Sequence, residues 1–190
     1  MNIQSKLNGA DGIDYLVEYS DTDTFDHLDY DRCKQCYGVC FVKNGNVTSD
    51  LHANDQTNST YSIDTLVIGF GGKKKGWGLI GGSIEKGETF EQTLRREIIE
   101  ESNMEVLSFL PIGYQKVTVE STGKFFFQLR YVCTVRPLGE FKIDGGDGLS
   151  EKGITEIKQI DPLKYKEYFD WGEIGERIIQ RALELKSRLL

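Results

Sequence analysis

The run Thr89–Asn103 constrains this chain more than any other segment. It contains neither glycine nor proline, and it predicts a helix. At about 100° per residue, Phe90, Leu94 and Ile98 share one apolar stripe. Glu101 falls inside the angular span of that stripe, and Glu97 falls about 20° outside its edge. Glu100 lies roughly 60° beyond Glu97. The inward face of the helix therefore changes from hydrocarbon to carboxylate in its last turn.

Such a turn is costly unless a cation compensates it. Glu97 repels Glu101 at i,i+4 and Glu100 at i,i+3, near the negative end of the helix dipole. Buried carboxylates need positive partners. One source is a divalent ion that prefers oxygen, Mg²⁺ or Mn²⁺. The other is Arg95 and Arg96, which would neutralise a solvated acidic face. The helix alone leaves both open. The loop before it favours a ligand. Gly81, Gly82 and Gly87 allow tight turns and close backbone approach, and Glu88 is placed to start the helix. A glycine loop entering a helix is a common phosphate cradle. Lys73, Lys74 and Lys75 stand just upstream, either drawing a polyphosphate to the loop or forming a solvated turn.

Together these residues resemble the Nudix hydrolase box, Gly-x5-Glu-x7-Arg-Glu-U-x-Glu-Glu-x-Gly-U, with U a bulky aliphatic residue. The matches are Gly82, Glu88, Arg96, Glu97, Ile98, Glu100, Glu101 and Met104. Asn103 stands where the box has glycine, and it tolerates the left-handed backbone that a helix end requires. Trp77-Gly78-Leu79-Ile80-Gly81-Gly82 is similar to the family's lead-in, with Ile80 in place of the usual proline.

The resemblance implies an α/β fold, a Nudix-type α/β/α sandwich with a mixed β-sheet between helices. The Nudix domain would span residues 36–190, and residues 1–35 would be an N-terminal extension that covers an edge or builds a homodimer. The implied activity is hydrolysis of a nucleoside diphosphate linked to another moiety X, by water attack on phosphorus. Glu97, Glu100 and Glu101 would hold Mg²⁺ or Mn²⁺, with the Gly82 carbonyl as a further ligand. Gly81, Gly82 and Lys75 would meet the substrate. Arg96 and Glu88 would orient the carboxylates by ion pairing. Glu97 or another carboxylate would be the base. Glu151, in the glycine-rich loop from Asp144 to Gly153, is the candidate for a second contribution, with Glu156 and Glu120 behind it. The alternative is a Nudix-fold module that senses a nucleotide without turnover. Markers of the family's substrate classes are missing: Val119 and Glu120 stand where ADP-ribose hydrolases often place proline, and Ser121 and Thr122 where dinucleoside-polyphosphate hydrolases often place tyrosine.

Composition narrows the partners. The chain has 190 residues, 21 Gly against 3 Pro, and a formal net charge of -7. That charge disfavours general binding to nucleic acid or anionic membrane. No run approaches the roughly 18 apolar residues of a membrane span, and Met1–Asp11 does not read as a signal peptide. The expected setting is cytoplasmic, with Cys33, Cys36, Cys40 and Cys133 reduced. Cys33, Cys36 and Cys40 with His27 have some likeness to a zinc site, but Cys36 and Cys40 share one strand face and read as core. The acidic run Ser20–Asp31 reads as a solvated linker or helix edge. Strands are expected at Ile13–Tyr19, Cys36–Lys43, Tyr61–Phe70, Val106–Val119, Lys124–Val135 and Ile154–Ile160. A connection is expected over Gly71–Gly87, and a closing amphipathic helix over Trp171–Leu189.

Overall fold

Strand β3 (Cys33–Val42) is buried at Cys36, Val39, Cys40, Phe41 and Val42, so both of its faces are covered. A strand of that kind lies at the centre of a sheet with a layer on each side. The computed structural model describes residues 2–9, 12–42, 64–71, 75–139 and 153–189. Around β3 they form β1 (Asn2–Asn8), β2 (Asp14–Asp21), β4 (Thr65–Gly71), β5 (Gly76–Gly78), β6 (Ile80–Ser83), β7 (Met104–Val119), β8 (Phe125–Pro137) and β9 (Ile154–Ile160). Helix α1 (Phe90–Ser102) lies between β6 and β7, and α2 (Gly172–Leu185) follows β9.

The sheet runs β1-β2-β7-β8-β3-β4-β5, with β6 also paired to β3 and β9 to β4. Strands β3 and β8 are parallel, from Cys33↔Phe127 to Val42↔Val135, and the other pairings are antiparallel. The far edge of β3 is divided. Cys40–Val42 pairs with β4, and Gln35–Gly38 pairs with β6. That fork brings the glycine loop against the middle of the sheet.

Each face has its own core. Ile174, Ile178, Ile179, Ala182 and Leu185 of α2 pack with Tyr19, Phe41, Leu66 and Val132 on one side. Leu94 and Ile98 of α1 pack with Cys36, Cys40, Val67, Ile80 and Cys133 on the other. The mixed sheet therefore lies between helices, as the resemblance implies. The cysteines are free thiols of that second core; burial lifts the Cys33 thiol to about 11 and the Cys36 thiol to about 12.

Several expectations change. The Gly71–Gly87 connection contains β5 and β6, because glycine backbone can pair in a sheet without apolar side chains to announce it. Strand β1 also went unread, its sequence being mostly polar. The acidic run is not merely solvated. Asp21 forms an ion pair with Arg177 at 2.7 Å, Asp23 pairs with Arg181 at 2.8 Å, and Phe25 is buried. The last helix ends at Leu185, and a 3-10 turn carries Lys186–Arg188. Residues 2–21 extend the sheet beyond β7. Lys73, Lys74, Glu151 and all but the last residue of the stretch expected as a glycine-rich loop, Asp144 to Gly153, lie outside the described residues. Among the described residues no helix is long and apolar enough to cross a membrane.

Candidate active site

Helix α1 is fixed at both ends by its own sequence. Thr89 accepts from the Gln92 amide at 3.2 Å, and Gln92 returns a carbonyl oxygen to the Thr89 amide at 2.8 Å. This reciprocal cap sets the start. At the other end Asn103 is left-handed, φ 52° and ψ 40°, as its place in the box requires. Leu94 and Ile98, fully buried, lock the rotation of the helix against the sheet. That rotation decides where the carboxylates go.

Arg96 gathers them. Its guanidinium donates to Glu88 at 2.7 and 2.9 Å, to Glu97 at 2.9 Å, to Glu100 at 3.1 Å and to the Ser83 carbonyl at 3.0 Å. Glu88 also accepts from Thr93 Oγ1 at 2.7 Å and the Glu85 amide at 3.1 Å. These bonds, with Arg96 the largest influence, hold its carboxyl down at about 2. Glu88 thus joins the loop to the helix. Arg95 turns the other way, to Glu91 and the Val106 carbonyl.

Two glycines make room for the remaining carboxylates. A Cβ on Gly82 would sit 2.3 Å from Glu97 Oε2, so the Glu97 carboxylate rests against the bare α-carbon. A Cβ on Gly81 would meet the Cys36 carbonyl at 2.2 Å, and its φ of +146° also requires glycine. The Gly81 amide donates to Glu101 Oε2 at 2.8 Å. Burial raises the Glu101 carboxyl to about 7, against the pull of that bond, and nearby Glu97 and Glu100 add to the rise. Burial also raises Glu97. Glu100 is exposed.

The structure thus brings Gly81, Gly82, Glu88, Arg96, Glu97, Glu100 and Glu101 together. Among the described residues, no three acidic, histidine or cysteine side chains are placed to hold one ion. The reason is visible: Arg96 spans Glu97 and Glu100, while Glu101 is turned onto the Gly81 amide. The donor set still suits a hard divalent cation. It is all oxygen, and one guanidinium faces Glu88, Glu97 and Glu100 with Glu101 beside them.

Other candidates lie elsewhere. Lys75 is an exposed turn residue with φ 46° next to β5. Glu120 sits at the tip of the β7–β8 hairpin, paired with Lys6 at 2.8 Å. Glu156 is on β9 opposite Phe70, 3.7 Å from Lys158. Sequence reading missed Tyr37 and Arg130. Tyr37 pairs in register with Gly81 on one side and with Arg130 on the other. Arg130 is 4% exposed and forms no ion pair with a carboxylate among the described residues. An arginine in the strand Lys124–Val135 was the available signal.

The sheet between two helices carries an arginine-tied cluster of carboxylates against a glycine loop. The chain belongs to the Nudix family: the family model of the NUDIX domain matches residues 64–173. It is a pyrophosphohydrolase of that family. No curated protein sequence matches it. Among solved structures, a mutant of the Bacillus subtilis pyrophosphohydrolase BsRppH is similar with a TM-score of 0.60 and 13% identity, over 98% of this chain and 99% of that one. An Ap4A hydrolase from C. elegans has a TM-score of 0.51 and 13% identity, over 81% and 97% of the two chains. A NUDIX hydrolase from Nitrosomonas europaea has a TM-score of 0.50 and 14% identity, over 79% and 88%. At these identities the likeness is one of fold.

Proposed function

We propose that the chain hydrolyses a pyrophosphate bond in a nucleoside diphosphate linked to another moiety, with Mg²⁺ or Mn²⁺ bound by Glu97, Glu100, Glu101 and the Gly82 carbonyl. The observation that carries this is the Glu97 carboxylate lying against the Gly82 α-carbon beside a Glu101 carboxylate held by the Gly81 amide. A divalent ion bound there supplies charge to the phosphate oxygens and acidifies a bound water. The chain's own residues do the rest. Glu88 and Arg96 keep the helix carboxylates aimed at the loop. Gly81 and Gly82 leave space for phosphate at the backbone, with Lys75 upstream as a further contact. Glu97 takes the proton from the attacking water as its oxygen bonds to phosphorus and the bridging oxygen departs. Glu151 is the proposed second carboxylate. Four thiols held in the core accord with a reducing cytoplasm.

The test is turnover of a panel of nucleoside diphosphate derivatives with Mg²⁺ or Mn²⁺, for wild type, Glu97→Gln and Glu101→Gln. Each variant is expected to lose at least roughly tenfold. Nucleotide binding without product in the wild type would instead make the protein a sensor.

A further inference from the structure

Strand register builds a second group beside the glycine loop. On the α2 face, β7, β8 and β3 set Gln115, Gln128 and Gln35 in one cross-strand row. The next row holds Arg130 and Tyr37, with Gly81 as the partner of Tyr37 on β6. Arg130 donates to Oε1 of Gln115, to Oε1 of Gln128 at 2.9 Å and to the Leu129 carbonyl at 3.3 Å, and it lies 4.6 Å from the centre of the Tyr37 ring. Gln128 Nε2 donates to Gln35 Oε1 at 2.6 Å. The Arg130 Nε is buried without a partner.

The polarity of this network follows from one cation. A guanidinium only donates, so Gln115 and Gln128 must both turn oxygen toward it. The Gln128 nitrogen is then directed at Gln35, whose oxygen must accept. What remains at the ends is Gln115 Nε2 and Gln35 Nε2, neither of which donates to a described residue. Both ends of the row are donors, with an uncompensated positive charge behind them.

We propose that this row is the subsite that reads the nucleobase, and that it prefers a purine edge made of acceptors, as guanine's O6 and N7 are, over adenine with its N6 amine. The inference rests on the pyrophosphohydrolase reading above. Position supports a base. Gln35 pairs with Ser83 on β6, and Gln128 and Gln115 follow on the next two strands, so the row runs from about 5 Å to about 14 Å away from the loop strand. That range suits the span from a phosphate to its base. Burial argues against a phosphate here, because Arg130 is 4% and Gln115 8% exposed, while Gln35, at the loop end of the row, is only half-buried. An adenine amine would meet donor ends and leave the row unsatisfied.

The test is calorimetric titration of the full chain with GMP and AMP in the presence of a chelator, which needs no turnover. GMP is expected to bind at least fivefold more tightly, on the order of one added hydrogen bond. Gln35→Glu keeps the oxygen that accepts from Gln128 and replaces the outward donor by an acceptor; it is expected to bring the GMP:AMP affinity ratio to one or below. If that variant does not fold, Gln35→Met removes the donor without adding charge and is expected to bring the ratio toward one. Equal binding of the two nucleotides, binding of neither, or an unchanged ratio in a folded variant overturns the proposal. Hydrolysis without base preference refutes this subsite alone. Base-selective binding with no hydrolysis of any pyrophosphate refutes the enzymatic reading and leaves the subsite standing.

Discussion

Glu101 makes the stability of the metal-free protein fall between mildly acidic and neutral pH. Burial is the chief reason its carboxyl sits at about 7 in the fold, against an ordinary 4.5 in the unfolded chain. Between those values the folded protein holds a proton that the unfolded chain has released. Stability therefore falls as pH rises through this window. The penalty is absent below about pH 4.5 and complete above about pH 7. At 1.36 kcal/mol per pKa unit its ceiling is about 3 kcal/mol, and partial exposure of the residue reduces it to about 2 kcal/mol. Glu101→Gln removes the charge while its amide oxygen still accepts from the Gly81 amide. Urea unfolding at pH 5 and pH 8, with chelator, measures the effect. Wild type is expected to lose about 2 kcal/mol more than the variant between the two. Glu97 moves in the same direction and repels Glu101, so the difference measures Glu101 together with its coupling to Glu97. Equal pH dependence in the two would refute the reasoning. Adding Mn²⁺ at pH 8 is expected to raise the melting temperature of wild type more than that of the variant.

Gly82→Ala is expected to displace the Glu97 carboxylate and to lower metal-dependent hydrolysis at least roughly tenfold, read as kcat with far-ultraviolet circular dichroism unchanged. Asn103→Ala, which keeps a Cβ on a left-handed residue but removes the asparagine's local bonding, should lose about 1 kcal/mol in urea unfolding, whereas Asn103→Gly should stay within about 0.5 kcal/mol of wild type. Arg177→Ala strips Asp21 of its bidentate partner and should cost roughly 3 kcal/mol, with most of that recovered when Asp21→Asn is added.

The parts of the fold set by local chemistry were legible. Thr89 and Asn103 bound the helix in sequence and in structure, because capping needs only neighbouring residues. The stripe of Phe90, Leu94 and Ile98 gave the order of burial of the carboxylates, with Glu100 outermost, since helix rotation follows from where hydrocarbon must go. Ile154–Ile160 was read to the residue from its alternation. What failed depended on distant partners. Gly81 and Gly82 are strand residues only because Cys36 and Tyr37 lie across from them. Asp21 and Asp23 are structural anchors only because α2 returns with Arg177 and Arg181. Gln35, Gln115, Gln128 and Arg130 look like ordinary strand polarity until register lines them up.

The parallel pairing of β3 with β8 has a consequence for how the molecule forms. Gln35 and Gln128 meet across it although 93 residues separate them in sequence. Closing so long a loop costs chain entropy before the central strands reward it, which slows folding relative to a chain of local contacts. During synthesis, the box helix emerges before β8 exists. The glycine loop can pair with β3 by then, but the second wall of that strand arrives only when residues 125–137 have left the ribosome. Until that moment the carboxylates have a helix to stand on but half a sheet beneath it, so catalytic competence is expected to appear late and all at once.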